Sequence, residues 1–304
     1  MTKVPTRGAA GLLWCGFRLH DDGPVEGTRF ADPLALTVGA VVAGVDGSEG
    51  SLAALDWAAV QAGLERRVLA IVHADGPGAL ADQGEVVLDT ACARVAENHP
   101  DLELRPLLSH EDPRAALCQA SEHAHLVVVG SRGMGPLKSR VLGSVGVSLT
   151  HHRRCPVVVR RPGSTAGGRG VLVGTDGLRA SAPAVEWAFH HAALRGMPLT
   201  LVRAVDDGLA DGEVTRDEPG HEGLWSQLEE AALQFTHRHR AVDVSLRLER
   251  GHVDEALARA AAGMDIVVVG SHVRRSTLGL VDLDVAIELV EHAPGFVAVV
   301  PGPD

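Results

Sequence analysis

VVVGSRGMGPLKSRVLGSV, residues 127–145, runs three valines into Gly130, Ser131, Arg132 and Gly133, then crosses nine residues to Gly143 and Ser144 at the start of a new apolar pattern. A short β-branched run is how a buried parallel strand looks in sequence, and glycines after it let the backbone turn sharply and approach a ligand closely. The physical reading is strand, glycine-rich loop, helix. The first amides of such a helix have no intrahelical partner, so they point at whatever anion sits in front of them. The stretch is a candidate phosphate cradle.

The spacing Gly130, two residues, Gly133, nine residues, Gly143-Ser144 resembles the nucleotide-binding signature of the universal stress proteins and fits it without a gap. The valine run ahead of it and CPVVV, Cys155 to Val159, behind it make the match specific. The resemblance implies an α/β fold with a five-stranded parallel sheet of the adenine nucleotide alpha-hydrolase-like kind. It also implies ATP or a related adenine nucleotide as ligand, with or without Mg2+.

Outward from this stretch the chain carries the same unit twice. Val41 to Val45 is a buried-strand run ending in Asp46, Gly47 and Ser48, and Leu52, Leu55, Val60 and Leu64 predict an amphipathic helix with Ala and Trp57 on its inner face. Strands near Val68–Ala74, Leu102–Leu108, Leu126–Gly130 and Pro156–Arg160 alternate with helices over about 82–98, from Pro113 to about Glu122 and from about Val141. Such alternation predicts a parallel, doubly wound sheet. VLVGTD (Val171–Asp176) lies 130 residues after VVAGVD (Val41–Asp46), with Gly177, Trp187 and Leu194 at the offsets of Gly47, Trp57 and Leu64. IVVVGS (Ile266–Ser271) lies 140 residues after LVVVGS (Leu126–Ser131), so the second copy carries an insertion of ten. The acidic, polar segment Asp206–Glu222 is expected to hold it as a surface loop. Pro162–Gly170, rich in Gly, reads as the linker. Two doubly wound parallel-sheet domains in tandem are therefore expected, at 37–162 and 170–304 with 163–169 between, after a poorly ordered extension over 1–36.

Two domains of ordinary size also suit 304 residues. A hydrophobic fraction of 45% with 22% charge is that of a globular chain, and aromatics at 3% leave the core to Val, Leu and Ala. The net charge of −11 argues against a nucleic-acid partner, because a phosphate backbone is held by clustered Lys and Arg. No apolar run approaches the roughly 20 residues that span a bilayer, so no membrane partner is expected. Leu12, Leu13, Trp14 and Cys15 are too short an apolar stretch for a lipoprotein signal, and Trp14 is not small. Cys15, Cys92, Cys118 and Cys155 show no CxxC spacing, so a reducing cytoplasm is the expected compartment.

An aspartate closing the first strand of a parallel α/β sheet stands where such sheets put ligands. On the match GVDGS the family's pocket aspartate falls on Asp46, behind Gly44 and Val45; a helix N-cap is the other role open to it, and the two are compatible. Ala74 matches the position whose backbone faces adenine in the family. After Val129, the resemblance assigns Gly130 and Gly133 to close approach to ribose and phosphate, and Gly143, Ser144 and Val145 to phosphate binding through amides and a hydroxyl. Arg132, Lys138 and Arg140 add positive charge nearby, on the phosphates or in solvent. Gly146 departs from the hydroxyl residue usual in the family, which is expected to weaken affinity without abolishing the site.

The second copy departs further. Gly270 persists, but Val273 replaces the second glycine and Leu283-Asp284 stand for Gly-Ser. A carboxylate ~4 Å from a phosphate repels it by about 4 kcal/mol at an effective dielectric near 20. One competent and one degenerate site are expected.

The 16 histidines include His123 with His125, His151 with His152, His190 with His191 and His237 with His239. Adjacent residues on a helix face different ways and no carboxylate or cysteine recurs at ligand spacing, so surface positions are expected and no metal site. The apolar closing strands Pro156–Val159 and Phe296–Val300 offer sheet edges. In the family this strand commonly pairs across a dimer interface, which implies an internal pseudo-dimer of the two domains and leaves room for a homodimer. The function this implies is a nucleotide-dependent stress-response regulator read by an unidentified protein partner. Slow ATP hydrolysis and a ligand-free scaffold are the alternatives. With no GK(S/T) P-loop and no obvious paired carboxylates for Mg2+, no residue is assigned a catalytic role.

Overall fold

A computed structural model describes residues 12–13, 33–77, 81–131, 145–146, 148–149, 154–161, 168–271, 289–290, 293 and 295–303. They divide into two compact units, one ending at Cys155 and one beginning at Pro156.

The first unit runs β1 (Leu12–Leu13), β2 (Val41–Gly44), α1 (Glu49–Glu65), β3 (Leu69–Ala74), α2 (Ala81–Asn98), β4 (Leu104–Ser109), α3 (Pro113–Ser121) and β5 (Leu126–Gly130). The strands stand in the order β1-β4-β3-β2-β5, parallel except for β1, which is antiparallel to β4. Val41–Ala43, Leu69–Val72 and Leu126–Val129 are buried, as a sheet covered on both faces requires. From β2 the order runs two ways, to β3 and β4 on one side and to β5 on the other. Such a reversal opens a crevice beyond the carboxyl ends of the strands.

α1 starts at Ser48, whose hydroxyl accepts from the Ser51 N–H. Its inner face is made of Ser51, Ala54, Leu55, Ala58, Ala59 and Ala62, while Val60 and Leu64 are 38% and 40% exposed and Trp57 is half-buried. Leu55 and the alanines therefore lie on the inner face as expected, while Val60 and Leu64 do not. The helix lies close on the sheet, and small side chains are what that gap admits.

The second unit comprises β6 (Val157–Arg160), β7 (Val171–Gly174), α4 (Ala182–Arg195), β8 (Leu199–Val205), β9 (Gly212–Val214), α5 (Glu222–Thr236), β10 (Val244–Arg250), α6 (Val253–Ala260), β11 (Ile266–Gly270) and β12 (Phe296–Val300). Their order is β6-β12-β11-β7-β8-β10-β9. The five strands β12, β11, β7, β8 and β10 are parallel; β6 runs antiparallel to β12, and β9 to β10. β6 belongs to the first copy by sequence yet is counted in this unit, in register with the closing strand of the second copy.

The structure departs from the sequence-based expectation at two places. Asp206–Glu222 is not loop throughout, since β9 lies within it as an edge strand. The surface reading of the histidines fails at His191, which is 1% exposed and stacked on Trp187 at 4.9 Å, although its neighbour His190 is exposed. No helix among the described residues is long and apolar enough to cross a membrane.

Candidate functional site

The chain leaves β2 through Gly44, Val45 and Asp46, at the mouth of the β2–β5 crevice. Gly44 lies between Val72 and Val129. A Cβ there would stand 2.9 Å from Leu117 Cδ1, so this glycine admits the α3 leucine; Gly174 admits Leu257 of α6 in the same way, at 2.7 Å. Val45 is buried. Its N–H reaches the Val72 carbonyl at 2.9 Å, and its own carbonyl accepts from His73 Nδ1 at 2.7 Å, which places the imidazole proton on Nδ1.

Asp46 is half-buried. Its Oδ1 accepts from the Ser48 N–H at 3.0 Å and the Ser48 hydroxyl at 2.6 Å, while its N–H donates to Ser51 Oγ at 3.3 Å. Gly47 makes the intervening turn at φ 81°. The N-cap itself is Ser48, so the carboxylate orients the cap rather than serving as it. A negative charge at this end of α1 is favoured by the helix dipole. Gly130 closes the other wall: a Cβ on it would lie 2.9 Å from Gly50 C and 3.0 Å from Ser51 N. The first turn of α1 therefore sits directly on the carboxyl end of β5.

Val129 and Ser131 are buried, Gly130 is half-buried, and Val145 is a half-buried helical residue followed by buried Gly146. Ala74, half-exposed, ends β3 opposite Ser109. Arg132, Gly133, Gly143 and Ser144 lie outside the described residues, as do Lys138, Arg140, Val273, Leu283 and Asp284. Of the residues expected to form a site, Gly44, Val45, Asp46, Val129 and Gly130 meet at the ends of β2 and β5, with Ala74 on the next strand.

Sequence reasoning missed several polar groups at this edge. Ser48 and Ser51 lock the turn, and the run Asp-Gly-Ser-Glu-Gly-Ser carries that signal in its alternating cap residues. Asp75 holds His110 Nδ1 at 3.0 Å with a side chain 9% exposed, and its Oδ2 is buried without a partner. Nothing in the sequence pairs residues 75 and 110 before β3 and β4 are aligned.

Behind β5, burial pushes the Cys155 thiol up to about 12, so it stays neutral and is no nucleophile. At the start of α3, hydrogen bonds from Arg114 lower the Asp112 carboxyl to about 2. Among the described residues no group of three or more His, Cys, Asp or Glu could hold a metal.

The equivalent corner of the second unit is built differently. Asp176 Oδ1 accepts from the Leu178 N–H at 3.0 Å and the Ser181 hydroxyl at 2.9 Å, and Thr175 Oγ1 sits 2.6 Å from Ser181 Oγ. The 130-residue offset from Glu49 falls on Arg179, where there is a 3-10 turn, Arg179–Ser181; α4 begins only at Ala182 and has no side-chain cap. The second copy thus lacks the capped helix mouth of the first.

A family model described as the universal stress protein family matches residues 38–161 and again 169–301. A universal stress protein of Mycolicibacterium smegmatis is 30% identical over 291 residues, covering 86% of this chain and 96% of its own. One from Mycobacterium tuberculosis is 30% identical over 265 residues, 79% of this chain and 89% of its own. Among solved structures, a universal stress protein from Archaeoglobus fulgidus aligns over 86% of this chain and 98% of its own with a TM-score of 0.61 at 19% identity, a likeness of fold.

Proposed function

The chain belongs to the universal stress protein family, and from that premise we propose that its first domain binds an adenine nucleotide, ATP foremost, and acts as a nucleotide-dependent stress-response regulator. The observation that carries the reading is the crevice where strand order reverses between β2 and β5, with Asp46 on one lip and Gly130 on the other, ahead of the spacing Gly130-x2-Gly133-x9-Gly143-Ser144. The donor set suits the ligand. A carboxylate held by Ser48 at the strand end takes the ribose hydroxyls, the Ala74 backbone takes the base edge, and Val129 backs the crevice beneath Gly44 and Val45. The glycine-spaced loop supplies free amides to the phosphates through Gly133, Gly143, Ser144 and Val145. Arg132 adds a cation beside them, and Mg2+ accompanies the phosphates or is dispensable.

The second domain takes the degenerate role. Its helix mouth lacks the side-chain cap, and Asp284 brings a negative charge to the phosphate position. Regulation is the reading proposed, with slow ATP hydrolysis as the alternative, and the lack of a GK(S/T) P-loop in the sequence supports the former. Bound nucleotide would change the surface that a protein partner reads. Mass spectrometry of small molecules released by denaturing freshly purified protein tests the reading. An adenine nucleotide in the release is expected; none released, and no calorimetric response to added ATP, would overturn it.

A further inference from the structure

In the N-terminal extension, Leu12 and Leu13 lie along the outer edge of β4, Leu12 opposite Ser109 and Leu13 opposite Leu108. That edge offers few places to dock. Glu103 and Ser109 give their carbonyls to the Leu69 and Asp75 N–H groups, on the β3 side. By alternation, residues 104, 106 and 108 turn their backbone groups outward. Pro106 has no N–H to offer. Leu108 is therefore the outward residue near the carboxyl end with both a donor and an acceptor, and it is the one that Leu13 faces.

The second unit covers the same two positions with unrelated sequence. At the 140-residue offset from Leu108 and Ser109 stand Leu248 and Glu249, and they face Val214 and Glu213 of β9, again antiparallel. The two covers are held differently. Around β9, Arg250 grips Asp207 at 2.9 Å and also Glu218, Arg259 reaches Asp211 at 2.9 Å, and Arg247 lies 3.6 Å from Glu213. β1 is the shorter strand, two residues against the three of β9, and neither Leu12 nor Leu13 is charged.

We propose that the outer edge of β4 at Leu108 is a strand-docking site whose resident occupant is the Leu12–Leu13 segment of the same chain. The insert of the second domain is a permanent cover, and the N-terminal strand is a displaceable one. While docked it guards an edge that would otherwise pair with a strand of another molecule. An extended apolar segment of matching chemistry can take its place.

Backbone amide exchange followed by NMR tests this in the full chain, in Leu13→Pro and in a variant lacking residues 2–32. In both variants the Leu108 amide is expected to exchange at least about tenfold faster, while Leu248, under β9, is unchanged and reports that the fold is intact. A synthetic peptide of residues 8–17 is expected to restore Leu108 protection to the deletion variant. Unchanged Leu108 exchange in both variants, or a peptide without effect, would overturn the proposal.

Discussion

Gly130→Ala is the sharpest perturbation of the β2–β5 crevice. The added methyl would stand 2.9 Å from Gly50 C, 3.0 Å from Ser51 N and 3.1 Å from Gly50 O. All three are backbone atoms in the first turn of α1, so no rotamer change relieves the contact and the helix must lift. Overpacking of this kind costs about 1–3 kcal/mol. At about 2–4 °C per kcal/mol, the first domain should melt about 2–12 °C lower. Gly63→Ala, on the same helix with nothing within 4 Å of its Cβ, is the control. There the change removes backbone freedom from the unfolded chain and should stabilise by about 0.5–1 kcal/mol. Differential scanning calorimetry of the two variants reads opposite signs from the same chemical change. Gly130→Ala melting at or above the parent would refute the claim that α1 is seated on the end of β5.

Three further outcomes follow from the same geometry. Ser48→Ala removes the α1 cap and the hydroxyl that Asp46 holds, and urea denaturation should show a loss of about 0.5–2 kcal/mol; a change under about 0.3 kcal/mol would contradict the assigned cap. Hydrogen bonds from Arg250 lower the carboxyls of both Asp207 and Glu218, so their contribution is complete above the ordinary carboxylate range near pH 4 and fades as pH falls through the lowered values. Exchange at Leu248, corrected for intrinsic rate, should be flat from about pH 5 to 8 and quicken below about pH 4; constancy down to about pH 3 would remove the ion pairs as the anchor of β9. Cys155, its thiol pushed up to about 12 by burial, should resist iodoacetamide at a pH near 8 until the protein unfolds, and rapid labelling in the native state would contradict its burial.

The strands of this fold were legible because β-branched runs such as VVAG and VVVG are buried on both faces, and the duplication because Val171–Asp176 and Ile266–Ser271 keep the same words. Helix faces were harder. α1 packs through Leu55 and a set of alanines, whereas Val60 and Leu64 of the same spacing point outward. β9 is three residues, Gly-Glu-Val, inside an acidic run whose composition reads as loop; its arginine anchors come from β10 and α6. β1 is shorter still, and pairing rather than composition makes Leu12–Leu13 a strand. At the candidate site, the position of Asp46 at the strand end could be read from the chain. Its bond to Ser48 could not, since both residues cap helices and only the backbone angles decide which does. His73, His110 and Asp75 come together through strand alignment, which local sequence does not encode.

The first of the two homologous domains is proposed to hold the one competent nucleotide site. Isothermal titration of the full chain with ATP decides it, alongside Gly143→Asp, which sets a carboxylate in the first copy next to Ser144, the position that Asp284 takes in the second. One ATP bound per chain, and none after Gly143→Asp, is the predicted result. Two ATP per chain, or binding undiminished by Gly143→Asp, would rule out a single site in the first domain.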